Sequence, residues 1–316
     1  MIHLRSLQVA ILVVAALSSF TTSGQTNGTA PPLISDEAVP VQAIAPIAKD
    51  GHRGHGYLRK PPEGMRFPAV LIIHPGISEM QDGALRDYTL SAPLPSAFLA
   101  AGYVIAVTTW RSRDVDPQAT DAIEDTVAAI DLMRGLRYVD PESVLAYGCS
   151  SGGDLAFEVA RLTEVAAIAA EEPATMLFTG IMNKNFPKAG ERFTARDGTP
   201  IMENPLNFYT TEYQRLTQEK MRSIHAPILI LQGGGPVNRF NNEVFIPELG
   251  RTGKTVTLKT YPGEPHCFMF GRIGNIPLTT PRPAVAQQAF RDVESFFRGH
   301  VKTQPTPMTI EVAWPD

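Results

Sequence analysis

Gly148-Cys149-Ser150-Ser151-Gly152 spells G-x-S-x-G, and that spacing has a steric cause. A serine raised on a strained turn between a strand and a helix tolerates only very small neighbours on either side. The strain lifts the hydroxyl clear of the sheet. It also brings the next backbone N–H beneath the oxygen that turns negative during acyl transfer. The pattern alone arises by chance, so its surroundings decide. Val144, Leu145, Ala146 and Tyr147 form the apolar run of a strand buried on both faces, and Leu155, Val159 and Leu162 then recur at helical spacing. Shifting the frame to make Ser151 the nucleophile puts Cys149 where a glycine belongs. A thiol nucleophile at Cys149 puts Tyr147 there. Ser150 is the candidate nucleophile.

A serine hydroxyl is protonated at neutral pH and needs a base. His266 lies in Gly263-Glu264-Pro265-His266-Cys267, just past the last predicted strand, where this layout delivers a histidine. His3 sits in the apolar N-terminus, His225 and His300 flank predicted helices, and His74 ends a strand. His52 and His55 share a hairpin without a carboxylate cluster, so neither a metal site nor any other cofactor is expected. The imidazolium in turn needs an acid to orient it. The usual place, after the strand at 228–231, reads Gln232-Gly233-Gly234-Gly235-Pro236-Val237-Asn238 and offers no aspartate. The preceding strand ends in Ala170-Glu171-Glu172-Pro173, which makes Glu172 the candidate acid, with Glu171 next and Glu243 third. For the oxyanion, one donor is the Ser151 N–H. The other comes from His74-Pro75-Gly76-Ile77, where Pro75 has no N–H, leaving Gly76 or Ile77; Gly76 is assigned. The alternative to chemistry is a turn serine, a turn histidine and a solvated acidic pair.

The elements around these residues alternate. Residues 41–61 read as an antiparallel hairpin, 68–74 (PAVLIIH) and 103–108 (YVIAVT) as buried strands, and 92–101 as a short helix. Ile123, Val127 and Ile130 mark the next helix. Beyond the serine turn come strands at 165–170, 227–231 and 255–261, and an amphipathic closing helix carrying Ala286, Phe290, Val293 and Phe297. Strands alternating with helices predict a mostly parallel sheet covered on both faces. Residues 173–225 break that rhythm. A structureless loop of that length is unusual, so the segment is expected to hold helices of its own and to cap the site. Its aromatic residues (Phe178, Phe186, Phe193, Phe208, Tyr209, Tyr213) are expected to pack the cap rather than line a pocket.

The formal charge of −4 leaves no basic footprint, which argues against nucleic acid as a partner. Residues 1–24 have the layout of a secretory signal peptide: Arg5, an apolar run over 7–17 too short to span a bilayer, then small polar residues. No cysteine near the cleavage point offers a lipid anchor. The expected product is secreted or periplasmic, without a stable membrane anchor, and begins with a disordered leader over 25–37. The hydrolytic domain then covers 38–301, and 302–316 is a tail. Export gives weight to the cysteine count of 2, because Cys149 precedes the candidate nucleophile and Cys267 follows the candidate base. A bridge between them is expected, two buried free thiols being the alternative.

With these residues in place, residues 41–301 resemble the α/β-hydrolase superfamily, whose nucleophile–acid–base order Ser150, Glu172 and His266 follow. The Gly-Glu-Pro-His turn resembles dienelactone-hydrolase-like and prolyl-oligopeptidase-like catalytic domains. Cys-Ser paired with His-Cys is similar to tannases, feruloyl esterases and glucuronoyl esterases, families in which the flanking cysteines are bridged. Glucuronoyl esterases also take their acid as a glutamate after the strand that follows the serine turn, but Ser151 stands where they have arginine. The resemblance implies an α/β-hydrolase fold and a serine hydrolase acting on a small-molecule carboxylic ester. A serine peptidase of the prolyl-oligopeptidase kind is the first alternative, although little chain precedes the core strands for that family's propeller. A non-catalytic binding fold is the second.

Overall fold

The central strand of the fold, β3, is buried at every position, and its side chains alternate between two separate cores, as period-2 geometry requires. Val70 and Ile72 join one core; Ala69, Leu71 and Ile73 join the other. The computed structural model describes residues 34–36, 38–113, 120–182, 195–273, 276–277, 282–309, 312 and 314. The expected signal peptide, most of the leader, and Phe186 and Phe193 lie outside them.

In chain order the elements are β1 (Gln42–Ile44), β2 (Gly56–Arg59), β3 (Phe67–Ile73), α1 (Asp82–Ser91), α2 (Pro93–Ala100), β4 (Val104–Thr108), α3 (Asp121–Arg134), β5 (Val139–Cys149), α4 (Ser151–Leu162) and β6 (Ile168–Glu171). There follow α5 (Ala195–Glu203), α6 (Pro205–Phe208), α7 (Thr211–Arg222), β7 (Ile228–Gln232), α8 (Asn238–Phe240), a π-helical turn (Asn241–Phe245) and α9 (Ile246–Arg251). Then come β8 (Val256–Thr260), the short pair β9 (Arg272–Ile273) and β10 (Ile276–Pro277), and α10 (Pro283–Arg298). The 8-stranded sheet has the order β1-β2-β4-β3-β5-β6-β7-β8. β1 and β2 pair antiparallel at one edge, and every pairing from β4 to β8 is parallel. Helices cover both faces of these parallel strands, which buries them and explains their unbroken apolar runs.

Three placements differ from, or add to, the sequence expectations. Helices α5, α6 and α7 do lie within 173–225, but Phe178 belongs to the main core, edge-on to Phe157 and Phe245. Phe208, Tyr209 and Tyr213 pack with Met176, Ile181 and Phe240 in a third cluster. The packed chain also begins before residue 38. Ile34 is 2% exposed, and its carbonyl accepts a hydrogen bond from Nη2 of the buried Arg59 at 2.7 Å. In the tail, Met308 N–H donates to Ala100 O at 2.7 Å, and Trp314 packs beside Phe290 of α10. Among the described residues, no helix is long and apolar enough to cross a membrane.

Candidate active site

Ser150 sits between the end of β5 and the start of α4 with φ +55° and ψ −119°, a conformation that costs a non-glycine residue energy. The glycine before the turn is obligatory for a visible reason. A Cβ on Gly148 would lie 2.1 Å from Gly152 O. The only other described non-glycine residues with positive φ are Glu172 (+41°) and Cys267 (+58°). Backbone strain thus gathers where the sequence places its candidate acid and beside its candidate base.

Glu172 follows β6, and its carboxylate is fully shielded from solvent. Oε2 lies 2.9 Å from His266 Nδ1 and accepts the Cys267 N–H at 3.0 Å. Oε1 accepts from Gly233 N–H (3.0 Å), Gly235 N–H (2.7 Å) and Asn238 Nδ2 (2.8 Å). Burial alone pushes this carboxyl upward, but the hydrogen bond to His266, its positive charge when protonated, and the Gly235 and Asn238 donors outweigh it. They hold Glu172 below its ordinary value. The loop without an aspartate therefore has its own part: its backbone N–H groups cradle an acid delivered by the neighbouring strand. Gly235 must lack a side chain there, since a Cβ would meet His266 Nδ1 at 2.6 Å and Glu172 Oε1 at 2.7 Å.

Glu171 is separate from this contact. It accepts from Tyr147 Oη at 2.5 Å and Met269 N–H at 2.9 Å, and burial pushes it up to about 8. Glu243 lies on the π-helical turn and pairs with Arg239 at 2.7 Å. Cys149 and Cys267 form a disulfide, with Cα atoms 5.8 Å apart. The bridge joins the residue before Ser150 to the residue after His266. Their sulfurs and a His266 ring nitrogen lie within 4.8 Å of one another, but oxidised sulfur leaves no thiolate for a metal.

After β3 the chain turns through His74, Pro75 and Gly76. His74 Nδ1 lies 2.9 Å from Pro75 O, its ring stacks on Trp110 at 4.8 Å, and burial drops its pKa to about 4, so it is neutral. With Nδ1 as the donor, the ring pins the Pro75–Gly76 peptide. Ser151 Oγ donates to Gly76 O, tying the same turn to the helix that follows Ser150. Sequence reasoning missed the Gly233, Gly235 and Asn238 donors. The glycine triplet was their one visible signal.

No curated protein matches the chain in sequence. Solved structures share its fold. A puromycin-hydrolysing peptidase of Mycobacterium tuberculosis superposes with a TM-score of 0.59 at 18% identity, over 85% of this chain and 40% of that one. An esterase of Pyrobaculum calidifontis gives 0.56 at 18% identity, over 82% and 84% respectively. Carboxyl esterase 2 of the fungus Tuber melanosporum gives 0.58 at 16% identity, over 93% and 98%. This chain thus spans 40% of the mycobacterial peptidase but nearly all of the fungal esterase. The sequence profile of the prolyl oligopeptidase family matches residues 108–302, well over half of the chain and the whole stretch from the end of β4 to α10. With an α/β-hydrolase sheet beneath that match, the chain belongs to the prolyl oligopeptidase family, a family of serine hydrolases.

Proposed function

We propose that this protein hydrolyses carboxylic esters through an acyl-enzyme on Ser150, with His266 as base and Glu172 as the acid that orients it. The observation that carries the reading is the 2.9 Å contact between Glu172 Oε2 and His266 Nδ1, fixed from behind by the 233–238 loop. With Nδ1 donating to the carboxylate, Nε2 is left as the acceptor for the Ser150 proton. Ser150 Oγ attacks the carbonyl as its proton passes to His266, and Glu172 stabilises the imidazolium. The Ser151 and Gly76 N–H groups receive the oxyanion. In a trans peptide C=O and N–H point opposite ways, so the Ser151 Oγ bond to Gly76 O turns the Ile77 N–H away from that helix and favours Gly76. His266 then protonates the leaving alcohol and activates the water that releases the acid.

An ester is favoured over a peptide because the bridged Cys149-Ser150 and His266-Cys267 pairs resemble those of tannases and feruloyl esterases, and esterases superpose on 82% and 93% of this chain. The family match keeps a peptidase as the second reading. Residues 1–24 are proposed as a cleaved export signal, residues 38–301 as the hydrolytic domain and residues 173–225 as its cap. The test is the intact mass of the protein after a fluorophosphonate probe, beside a Ser150→Ala control. One adduct on the wild type and none on the control is expected; no adduct on folded wild type sinks the reading. Turnover of p-nitrophenyl acetate should then exceed that of a dipeptide p-nitroanilide, and the reverse order would make the protein a peptidase.

A further inference from the structure

Residues 109–113, which follow β4, are bonded both to the turn that carries Gly76 and to the helix that carries Ser151. Thr109 Oγ1 accepts the Met80 N–H at 2.8 Å, Ser112 Oγ accepts the Glu79 N–H at 3.1 Å, and the Arg113 N–H donates to Ile77 O at 2.7 Å. The Arg113 side chain reaches the helix: Nη1 donates to Asp154 Oδ2 at 2.7 Å. Asp154 is in the first turn of α4, and its own N–H donates to Ser150 O at 3.0 Å. The segment is braced from outside by Arg111, which holds Asp125 of α3 through Nε and Nη2.

The Arg113–Asp154 pair is closed off from water, with side chains 2% and 0% exposed. Desolvating two charges opposes folding, and apolar side chains of the same volume fill such a space without that cost. What an apolar pair lacks is direction. Arg113 holds the Gly76 turn with its backbone and the Ser151 helix with its side chain, so one residue fixes the spacing of two segments. Oxyanion stabilisation depends on that spacing, because donors set in place before the reaction need no reorganisation during it.

We propose that Arg113 is a positioning residue that sets the separation between the Gly76 and Ser151 N–H donors through its buried pair with Asp154. The inference rests on those two donors being the oxyanion site proposed above. Arg113 acts through its bonds to Ile77 O and Asp154, which carry its effect to the two donor segments. Its effect falls on the tetrahedral state and spares the bound ester.

The test is the double variant R113M/D154L, which removes both charges together and leaves neither unpaired. With p-nitrophenyl acetate, kcat should fall about 100-fold while KM stays within about 3-fold, the size of loss that a misplaced donor produces. Affinity for a short alkylboronic acid, which forms a tetrahedral adduct on the serine, should fall in parallel with kcat. A folded double variant with wild-type kcat and boronate affinity overturns the proposal, as does a loss confined to KM. If the double variant does not fold, R113K is read instead. It keeps the charge but not the planar fork, and kcat and boronate affinity should again fall together; no change overturns the proposal. Fluorophosphonate labelling of the wild type separates the two levels. No adduct there removes the site reading and this inference with it, whereas labelling with unaltered variants removes this inference alone.

Discussion

At the scale of single residues, the contact between Glu172 and His266 depends on an atom that is missing. Gly235 passes so close that a methyl group would lie 2.6 Å from His266 Nδ1 and 2.7 Å from Glu172 Oε1, inside the distance that bonded polar atoms keep. Its backbone is not in the left-handed region, so alanine brings the methyl group without a conformational penalty of its own. Gly235→Ala should therefore separate acid from base while leaving the fold in place. We expect kcat on an acyl ester to fall roughly 100- to 1000-fold, as when a base loses its orienting partner. The melting temperature should drop by only a few degrees, which differential scanning calorimetry checks. Near-wild-type turnover in this variant would show that the acid contributes little to catalysis and that Glu172 is structural. Only the glycine run in Gln232-Gly233-Gly234-Gly235 hints at this role, because the donors are backbone N–H groups and every residue but proline has one.

At the scale of elements, β5 with α4 and the turn carrying His266 are separate units joined by the Cys149–Cys267 bridge. The bridge closes a sequence separation of 118 residues. A loop of that size corresponds to about 5 kcal/mol of unfolded-state entropy in the chain-entropy account, and removing native bridges typically costs about 2–5 kcal/mol. The double variant C149A/C267A should therefore unfold at lower urea, and its kcat should fall further than the unfolded fraction explains. Equilibrium urea unfolding measured beside turnover separates the two effects. Full activity in the folded fraction would make the bridge a matter of stability alone. The elements themselves are legible to different degrees. β3, β5 and β7 announce themselves as apolar runs, and α4 and α10 by helical spacing. Helix α1 buries only Leu85, Tyr88 and Thr89, too few to mark a face. The run from α8 to α9 is interrupted by a π-helical turn and then by Pro247 near the start of α9, so it shows no clean period either.

At the scale of the whole molecule, the buried ionisable groups fix how stability follows pH. Burial raises Glu171 from 4.5 to about 8 and Asp154 from 3.8 to about 6. A carboxyl raised in this way contributes stability that is fully present below its unfolded pKa and is lost as pH rises through its folded one. His74 runs the other way. Burial lowers it from 6.5 to about 4, so its contribution is present above 6.5 and is lost as pH falls toward 4. Between about 4.5 and 6 these effects oppose one another. Above 6.5, His74 is neutral in both states and Asp154 is mostly ionised in both, which leaves Glu171 still holding a proton in the folded chain alone. Stability should then decline from pH 6.5 to 8 by about 2 kcal/mol, the linkage value for one proton over that interval. Glu171→Gln cannot ionise, yet its amide oxygen can still accept the Met269 N–H, so its melting temperature should stay level across the same range. Calorimetric scans of both proteins from pH 6.5 to 8 decide the matter. A wild type that stays level, or a variant that declines alongside it, would place the buried proton on some other group.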